Sequence, residues 1–301
     1  MAELISYTAC PNCGSPKIAP ALNCTDYTVS QKTFAIWHCN GCQLRFTQDV
    51  PTQNAIGPYY QSDAYISHSD TDKGLISKLY KRVRNRTLKL KLKTVQQTTG
   101  KQTGNILDIG AGTGAFLNTM KTAGWQATGL EPDAGARKVC KDKYGIDLKN
   151  PDELFGLQAA SQDAVTMWHV LEHVHQLHEY ITQINKVLTP NGAACIALPN
   201  YLSGDAQYYK EYWAAYDVPR HLYHFCPEAM RQLAAKHGMQ ITEIKPMWFD
   251  SFYISMLSEK YKSGKTNLVK AVWVGFSSNL KAWGNKERCS SIIYVLKKVN
   301  A

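Results

Sequence analysis

The chain has 301 residues, of which 44% are hydrophobic, and a formal net charge of +10 at pH 7. These values suit one large domain, or a domain with an appendage, and are enough for a sizeable core. No apolar run of about 18 residues occurs, which excludes a membrane-spanning helix, and Met1–Thr8 lacks a signal-peptide pattern. We therefore expect a soluble, cytoplasmic protein, in which the nine cysteines are not a disulfide framework.

Residues 1–50 contain two Cys-x-x-Cys pairs with 25 residues between them. Four thiolates in this arrangement predict tetrahedral Zn²⁺, and they leave no position for water, so the zinc is expected to be structural. The strand-like segments Tyr27–Ser30 and Thr33–Trp37 predict a zinc-ribbon lobe, in which Cys24 is a small buried residue. The alternative is four thiols without metal. The predicted ligands are Cys10, Cys13, Cys39 and Cys42.

Residues 51–100 are predicted to be a linker and a basic amphipathic helix. Asp49–Asp70 has the composition of a linker with tyrosine anchors, and Lys73–Val95 has apolar residues at helical spacing. Lys73–Lys101 carries ten basic residues and no acid, so it holds the whole excess of positive charge. Its basic face is either simply solvated or a docking surface for an acidic carrier protein, an anionic membrane surface or RNA.

A glycine-rich turn follows the strand pattern of Asn105–Gly114, which reads NILDIGAGTG. Glycines at 110, 112 and 114 let the backbone bend sharply and approach a ligand closely. The spacing is neither the G-x-G-x-x-G of dinucleotide sites nor a phosphate loop. Asp108 precedes the turn and suits a ligand with a cationic end. Glu131 ends the next strand pattern, at the position of a ribose-binding acid.

This combination resembles motif I of the class I S-adenosylmethionine (SAM) dependent methyltransferases. The resemblance implies that Asp108 serves the amino-acid end of SAM, that the glycine turn passes under the cofactor, and that Glu131 binds the ribose hydroxyls. The cofactor-binding residues implied on this turn and its neighbouring strand are Asp108, Gly110, Gly112, Gly114 and Glu131.

Strand and helix patterns alternate through residues 101–301, which predicts one doubly wound α/β domain with a parallel, Rossmann-like sheet. Including a short strand at Ile146–Leu148, seven strands are expected, and the resemblance implies that the last, Ser291–Lys297, is antiparallel. Leu257–Trp283 has apolar residues at helical spacing and predicts a helix packed near the rim of the active site. The alternative for that segment is contact with a membrane surface.

The segment after the fourth strand, Trp168–Val174 (WHVLEHV), resembles a stretch of small-molecule methyltransferases of types 11 and 12, including ubiquinone-type O-methyltransferases. The resemblance implies that Trp168 and His169 border the cofactor. Some of these relatives hold a divalent metal near such a Glu-His pair. Whether Glu172 and His173 bind a second metal therefore stays open, against the alternative that they are hydrogen-bonded structural groups.

Residues 201–225 are rich in tyrosine and are predicted to form an aromatic lid over the pocket. Asp217–Phe225 (DVPRHLYHF) resembles a segment of bacterial type 12-like methyltransferases. We expect His221 to be the catalytic general base, since imidazole can take a hydroxyl proton near neutral pH. Arg220 either holds an anionic group of the substrate or forms a structural ion pair with Asp217.

The favoured function is transfer of the SAM methyl group to an oxygen of a small-molecule or carrier-bound acceptor. One alternative is a ribosomal or transfer RNA base methyltransferase with an RNA-binding ribbon, which the basic helix favours. Against it, Trp168-His169 stands where amino methylation of bases usually carries an Asn/Asp-Pro-Pro-Tyr/Phe turn. The other alternative is a non-catalytic module that keeps the fold.

Overall fold

The computed structural model describes residues 3–61 and 75–299, with side chains from Arg82 onward in the second range. Tyr65 and Lys73, and the side chains of Lys78 and Lys81, lie outside the described residues. The strands are β1 (Leu4–Ile5), β2 (Ile18–Thr25), β3 (Thr33–Cys39), β4 (Arg45–Thr47), β5 (Val50–Pro51), β6 (Asn105–Ile109), β7 (Gln126–Leu130), β8 (Gln162–Trp168), β9 (Leu188–Pro199), β10 (Tyr223–His224), β11 (Met239–Pro246) and β12 (Ser291–Lys298). The helices are α1 (Leu75–Thr99), α2 (Ala115–Thr122), α3 (Ala134–Tyr144), α4 (Leu177–Val187), α5 (Gly204–Tyr209), α6 (Pro227–Lys236), α7 (Asp250–Ser263) and α8 (Leu268–Gly284). No helix in these ranges is long and apolar enough to cross a bilayer.

The main sheet has six strands in the order β11-β12-β9-β8-β6-β7. Strands β7, β6, β8 and β9 pair in parallel, and β12 is antiparallel to both of its neighbours. This confirms the mostly parallel α/β sheet and its antiparallel last strand. The predicted strand at Ile146–Leu148 is wrong. The chain there makes only an isolated bridge between Leu130 and Lys149, because Gly145 turns left-handed and Asn150 already caps the next turn.

A second sheet joins the ribbon lobe to the main domain. Its order is β10-β4-β3-β2, so Tyr223–His224 from the far end of the chain completes a sheet that begins at Ile18. The predicted strand Thr33–Trp37 is confirmed within β3, but Tyr27–Ser30 is a turn. Asp26 explains the turn, because its carboxylate accepts the main-chain NH groups of Thr28, Val29 and Ser30.

Two helical predictions need correction. The basic helix α1 continues beyond Val95 to Thr99, where Gly100 turns left-handed. The single helix predicted over Leu257–Trp283 is a hairpin of α7 and α8. Gly264 stops α7 with a φ of 73°, and the Asn267 side chain starts α8 by accepting the main-chain NH of Lys270.

Candidate active site

The glycine turn lies at the carboxyl end of β6. Gly110, Gly112 and Gly114 have φ values of 72°, 54° and 77°, a region that favours glycine. A Cβ at Gly110 would lie 2.4 Å from Val170, and a Cβ at Gly114 would lie 2.1 Å from the Cys140 sulfur, whereas a Cβ at Gly112 would meet nothing within 4 Å. The outer glycines therefore permit close packing, and the middle one presents bare backbone to open space.

Asp108 is buried beside the turn, with 1% of its surface exposed. Its Oδ1 accepts a hydrogen bond of 2.6 Å from the hydroxyl of Thr166, on the adjacent strand β8. Burial raises the pKa of the Asp108 carboxyl to about 7, although the Thr166 hydroxyl and the charge of Lys91 act in the opposite direction. A cation placed against this carboxylate would compensate the cost of its burial.

Glu131 holds the turn from the end of β7. One carboxylate oxygen accepts the NH of Gly112 at 2.7 Å, and the other accepts the NH of Asp133 at 3.0 Å. Glu131 therefore fixes the conformation of the glycine turn. Each carboxylate oxygen can accept a further bond, so a role toward ribose hydroxyls stays compatible with this geometry.

Lys91 is a site residue that the sequence analysis treated only as one of many basic residues on α1. Its ammonium group lies 4.3 Å from the centre of the Trp168 ring. Burial lowers the pKa of Lys91 to about 8, while the charges of Asp108 and Asp250 act to raise it. Lys73–Lys101 is uniformly basic and contains no acidic residue. The sequence therefore did not distinguish the one lysine whose side chain turns inward. The Trp168 ring therefore lies under a cation, and its predicted place beside the cofactor stays a prediction.

His169 follows Trp168 with a φ of 59°, which turns its ring toward two carboxylates. Its Nε2 lies 3.2 Å from Asp250 Oδ2, and its Nδ1 lies 3.5 Å from Glu172 Oε1. Although burial acts to lower it, Asp250 and Glu172 raise the pKa of His169 to about 9. His169 is therefore cationic at neutral pH and bridges the start of α7 to the segment after β8. Asp250 carried no motif that the sequence analysis could use.

Three side chains converge at the floor of the cleft: Glu172, His173 and His221. One ligand atom from each lies within 4.8 Å of the others. The Nδ1 of His173 contacts the carbonyl oxygen of Arg220 at 3.1 Å, and the Nδ1 of His221 contacts that of Ala215 at 2.8 Å. Since a carbonyl can only accept, both Nδ1 atoms carry hydrogen in these contacts, and in the neutral form of each ring the lone pair is on Nε2.

Glu172 is fully buried, and neither carboxylate oxygen has a hydrogen-bond partner among the described residues, although the His169 ring approaches Oε1 to 3.5 Å. Burial acts to raise the pKa of Glu172, but the neighbouring histidines lower it overall, and burial with the charge of His221 lowers the pKa of His173 to about 4. Two imidazole nitrogens and one carboxylate are a donor set that a divalent cation accepts. His175 and His178 do not join this set, because they contact the carbonyl oxygens of Pro51 and Pro11.

Two cavities meet at His173. One, of about 460 Å³, lies beside the glycine turn and is lined by Gly110, Asp133 and Val170. The other, of about 580 Å³, is lined by polar groups on one side and by apolar side chains of α7 on the other. Its lining includes Lys91, His169, His221, Tyr253 and Leu257. We call these two cavities, which share His173 in their lining, the cleft.

Arg220 has a structural role. Arg220 is 1% exposed and donates hydrogen bonds to two carboxylates, those of Asp217 and, at 3.0 Å, Asp26. It also donates to the hydroxyl of Thr28 and, at 2.8 Å, to the carbonyl oxygen of Tyr59. Each of its three nitrogens donates at least one hydrogen bond to these partners. Of the two roles considered for Arg220, the structural ion pair is therefore the one observed. Its consequence is to hold the loop before His221 against the ribbon.

The aromatic residues of the predicted lid are mostly core residues. Tyr209, Trp213, Tyr216 and Phe225 are 1–3% exposed, and only Tyr208 is substantially exposed, at 44%. Of this segment, Ala214, Ala215, Asp217 and His221 line the larger cavity, and none of its tyrosines does.

The four ribbon cysteines lie together. The sulfurs of Cys10 and Cys42 are 3.5 Å apart, as are those of Cys13 and Cys39, and all four lie within 4.8 Å of one another. A tetrahedral site with Zn–S bonds of about 2.3 Å has sulfurs about 3.8 Å apart, so the residues fit this metal. Gly41 also directs its NH at the sulfur of Cys39, as expected for a thiolate ligand. Cys24 is buried outside the cluster.

The fold and the glycine turn at the edge of a mostly parallel sheet define a Rossmann-like α/β methyltransferase fold. Residues 78–244 match the family described as "Methyltransferase domain". This range is more than half of the 301 residues. The chain therefore belongs to the methyltransferase-domain family.

Individual relatives are distant. An uncharacterized methyltransferase of Alkaliphilus oremlandii is 28% identical over 100 residues, which cover 32% of this chain and 46% of that protein. The matched part thus spans less than half the length of this curated relative. A putative sarcosine dimethylglycine methyltransferase from Galdieria sulphuraria is 15% identical, with a TM-score of 0.51, over 72% of this chain and 87% of that one. A SAM dependent methyltransferase from Archaeoglobus fulgidus is 18% identical, with a TM-score of 0.48, over 70% and 94%. The Galdieria structure supports the fold alone.

Proposed function

We propose that the chain transfers the methyl group of SAM to an oxygen of a small-molecule or carrier-bound acceptor. The observation that carries this proposal is the cleft itself. The cavity beside the glycine turn suits the nucleoside of SAM, and the cavity that it joins at His173 suits an acceptor of mixed polarity. Asp108 would face the cationic amino-acid end of SAM, with Glu131 holding the turn beneath it.

SAM supplies a methyl group already activated by a sulfonium. The acceptor oxygen forms a bond to the methyl carbon as the carbon–sulfur bond breaks, and S-adenosylhomocysteine is released. The protein's main task is then to align the reactants and to exclude water. We assign His221 as the base, because its Nε2 keeps a lone pair and its ring lines the acceptor cavity. The proton of the acceptor hydroxyl passes to this nitrogen.

A second role for His221 is favoured by the buried carboxylate of Glu172, which makes no hydrogen bond among the described residues and has the His169 ring, 3.5 Å away, as a counter-charge. Glu172, His173 and His221 could together hold a divalent cation, which would bind the buried carboxylate and orient an acceptor oxygen. In that case His221 is a ligand and the proton goes elsewhere. The two roles differ in one observable, which is the effect of a chelator on turnover. If His221 binds a metal, turnover depends on a second ion that a chelator can remove, in addition to the ribbon zinc. If His221 is the base, turnover does not depend on such an ion.

The test begins with calorimetric titration of SAM into the purified chain, followed by incubation with SAM and small-molecule extracts. Mass detection of S-adenosylhomocysteine and of a product heavier by one methylene supports the proposal. SAM binding without any methylated product would favour a non-catalytic module. Methylation of RNA in place of small molecules, with binding that weakens steeply as salt rises, would replace the proposed acceptor class.

A further inference from the structure

Helix α8 exposes its large apolar side chains and buries its small residues. Val269 and Trp283 are 83% and 81% exposed, and Trp273 is 67% exposed. The buried positions of the helix are, apart from Val274, small: Ala271, Gly275, Ser278 and Ala282. The outward apolar residues, here called the α8 face, are Leu268, Val269, Val272, Trp273, Phe276, Leu280 and Trp283.

At 3.6 residues per turn, the α8 face and the buried positions fall on opposite sides of the helix. The buried side packs on α7 closely enough that a Cβ at Gly275 would lie 2.9 Å from Phe252. A surface helix of a soluble domain ordinarily directs its large apolar residues to the core and its polar residues outward. The α8 face reverses this order, which is the pattern of a surface that is covered by something outside the described residues.

The charge around the α8 face is positive. From Tyr261 to Lys286 the chain has five lysines and no acidic residue. Lys270 pairs with Glu259 of α7 at 3.1 Å. The others are exposed, and Lys265 and Lys281 lie near the two ends of the helix. On the other side of the cleft, α1 supplies Thr87 and Lys91 to the cavity that α7 also lines.

We propose that the α8 face docks on an anionic lipid bilayer, with its apolar side chains at the boundary between headgroups and acyl chains. Tryptophans flanked by lysines are the composition of a helix that lies in this interface. The absence of a spanning helix in the described residues fits a protein that lies on the membrane. A second copy is a poorer occupant, because a two-fold interface would set the lysines of one α8 face against those of the other.

The docked orientation would place the cleft at the lipid surface. Helix α7 packs on α8 and contributes Tyr253, Ile254 and Leu257 to the acceptor cavity, and Tyr253 is 51% exposed. If the proposed methyl transfer is correct, an acceptor with a lipid anchor could enter the cleft between α1 and α7. The docking itself does not depend on that reaction.

The experiment is co-sedimentation of the full chain with vesicles of phosphatidylcholine alone and of phosphatidylcholine with 30% phosphatidylglycerol, the latter chosen as the anionic probe. We expect binding to the anionic vesicles and little to the neutral ones. Val269→Glu/Trp273→Glu should weaken binding by roughly 100-fold, because it places charge in the apolar layer. Lys265→Gln/Lys281→Gln should weaken it by about tenfold, and added salt should do the same.

Val139→Glu on α3 is the matched control, because Val139 is 45% exposed but lies on another surface; it should bind as the unaltered chain does. Unchanged near-ultraviolet circular dichroism and unchanged SAM affinity show that the variants are folded. Absence of the unaltered chain from both vesicle pellets would overturn the proposal. So would a dimer in sedimentation velocity that Val269→Glu/Trp273→Glu dissociates, since that result makes a second copy the occupant.

Discussion

The guanidinium of Arg220 donates a hydrogen bond to the carboxylate of Asp26, 3.0 Å away, although 194 residues separate them in the chain. Asp26 belongs to the ribbon lobe, and Arg220 immediately precedes His221. Thr47 of the ribbon also donates its hydroxyl to the carbonyl oxygen of His221 at 2.7 Å. The ribbon therefore positions the loop that carries the proposed base.

Replacing Arg220 should destabilise the fold strongly. Arg220→Ala leaves two carboxylates, Asp26 and Asp217, without their cation, and we expect the free energy of unfolding to fall by about 3–5 kcal/mol. Arg231→Ala, whose side chain is half-exposed in its pair with Glu287, should cost no more than about 1 kcal/mol. Urea denaturation of both variants measures the difference. Equal effects would contradict a structural role for Arg220.

The Asp26 pair also predicts sensitivity to acid. Burial acts to raise the pKa of Asp26, but the Ser30 NH and Arg220 outweigh it and lower the pKa from 3.8 to about 2. Because the folded value is the lower one, this stabilisation is complete above pH 4 and is lost as the pH falls toward 2. Arg220→Ala should therefore show a smaller loss of stability between pH 4 and pH 2 than the unaltered chain. An equal loss of stability between pH 4 and pH 2 in Arg220→Ala and in the unaltered chain would contradict the assignment of this acid sensitivity to the Asp26–Arg220 pair.

The four ribbon cysteines predict one bound zinc per chain. Cys13→Ser should lower the zinc content measured by inductively coupled plasma mass spectrometry to near zero, because three thiolates leave the coordination open. Cys24→Ser is the control, since Cys24 lies outside the cluster, and it should keep the metal. We also expect Cys13→Ser to lose methyl transfer through the ribbon contacts to Arg220 and His221. Full zinc retention in Cys13→Ser would refute this coordination.

We expect Asp108 to lower the stability of the cofactor-free fold and to raise its affinity for SAM. Its pKa of about 7 is above the ordinary value of 3.8, so the folded state favours the protonated form and the carboxyl costs stability as the pH rises through 7. Asp108→Asn should then raise the free energy of unfolding of the cofactor-free chain by about 1–3 kcal/mol at pH 8. The same change should weaken SAM binding by roughly 10- to 100-fold, because the amino group loses its counter-charge.

Calorimetry with SAM and thermal unfolding at pH 5 and pH 8 measure both effects. For the unaltered chain, SAM affinity should fall as the pH drops below 7, since protonation removes the charge. Asp147→Asn is the control, because its carboxylate is exposed and pairs with Lys141 rather than with a residue of the cofactor site. If Asp108→Asn binds SAM as tightly as the unaltered chain does, Asp108 is not part of the cofactor site.

Gly114 should tolerate no side chain. Gly114→Ala combines a left-handed φ of 77° with a Cβ that would lie 2.1 Å from the Cys140 sulfur, so we expect a loss of at least about 2 kcal/mol. Gly156→Ala meets nothing within 4 Å and has no positive φ, and it should be within about 1 kcal/mol of the unaltered chain. Denaturant midpoints measure both. Similar midpoints would show that α3 moves away readily.

His221→Ala tests the proposed base. We expect kcat to fall by roughly 10²- to 10⁴-fold while SAM affinity stays unchanged, because the proton of the acceptor loses its recipient. His237→Ala is the control, since His237 contacts His178 at the surface of α4 rather than the cleft. Turnover of His221→Ala that equals the unaltered chain across pH 6–9 would show that positioning alone carries the reaction.

The sequence alone determined the parts whose chemistry is local. The run from Asn105 to Gly114 specifies a buried strand and a turn that only glycines allow, and the structure confirms both. The Cys-x-x-Cys pairs specify their own cluster, because two cysteines with two residues between them can already direct their sulfurs at one centre. Most strand and helix bounds after Asn105 follow from hydrophobic periodicity in the same way.

Only the tertiary structure decided which side chains meet from distant segments. Lys91 shares its spacing with the solvated lysines of α1, and nothing local distinguishes the one that packs over Trp168. Asp250 and Arg220 acquire their partners through contacts between elements far apart in the chain. The apolar spacing of α8 predicts a helix but does not say which side faces the core. That choice depends on the close approach of α7, which only the small residues of α8 permit.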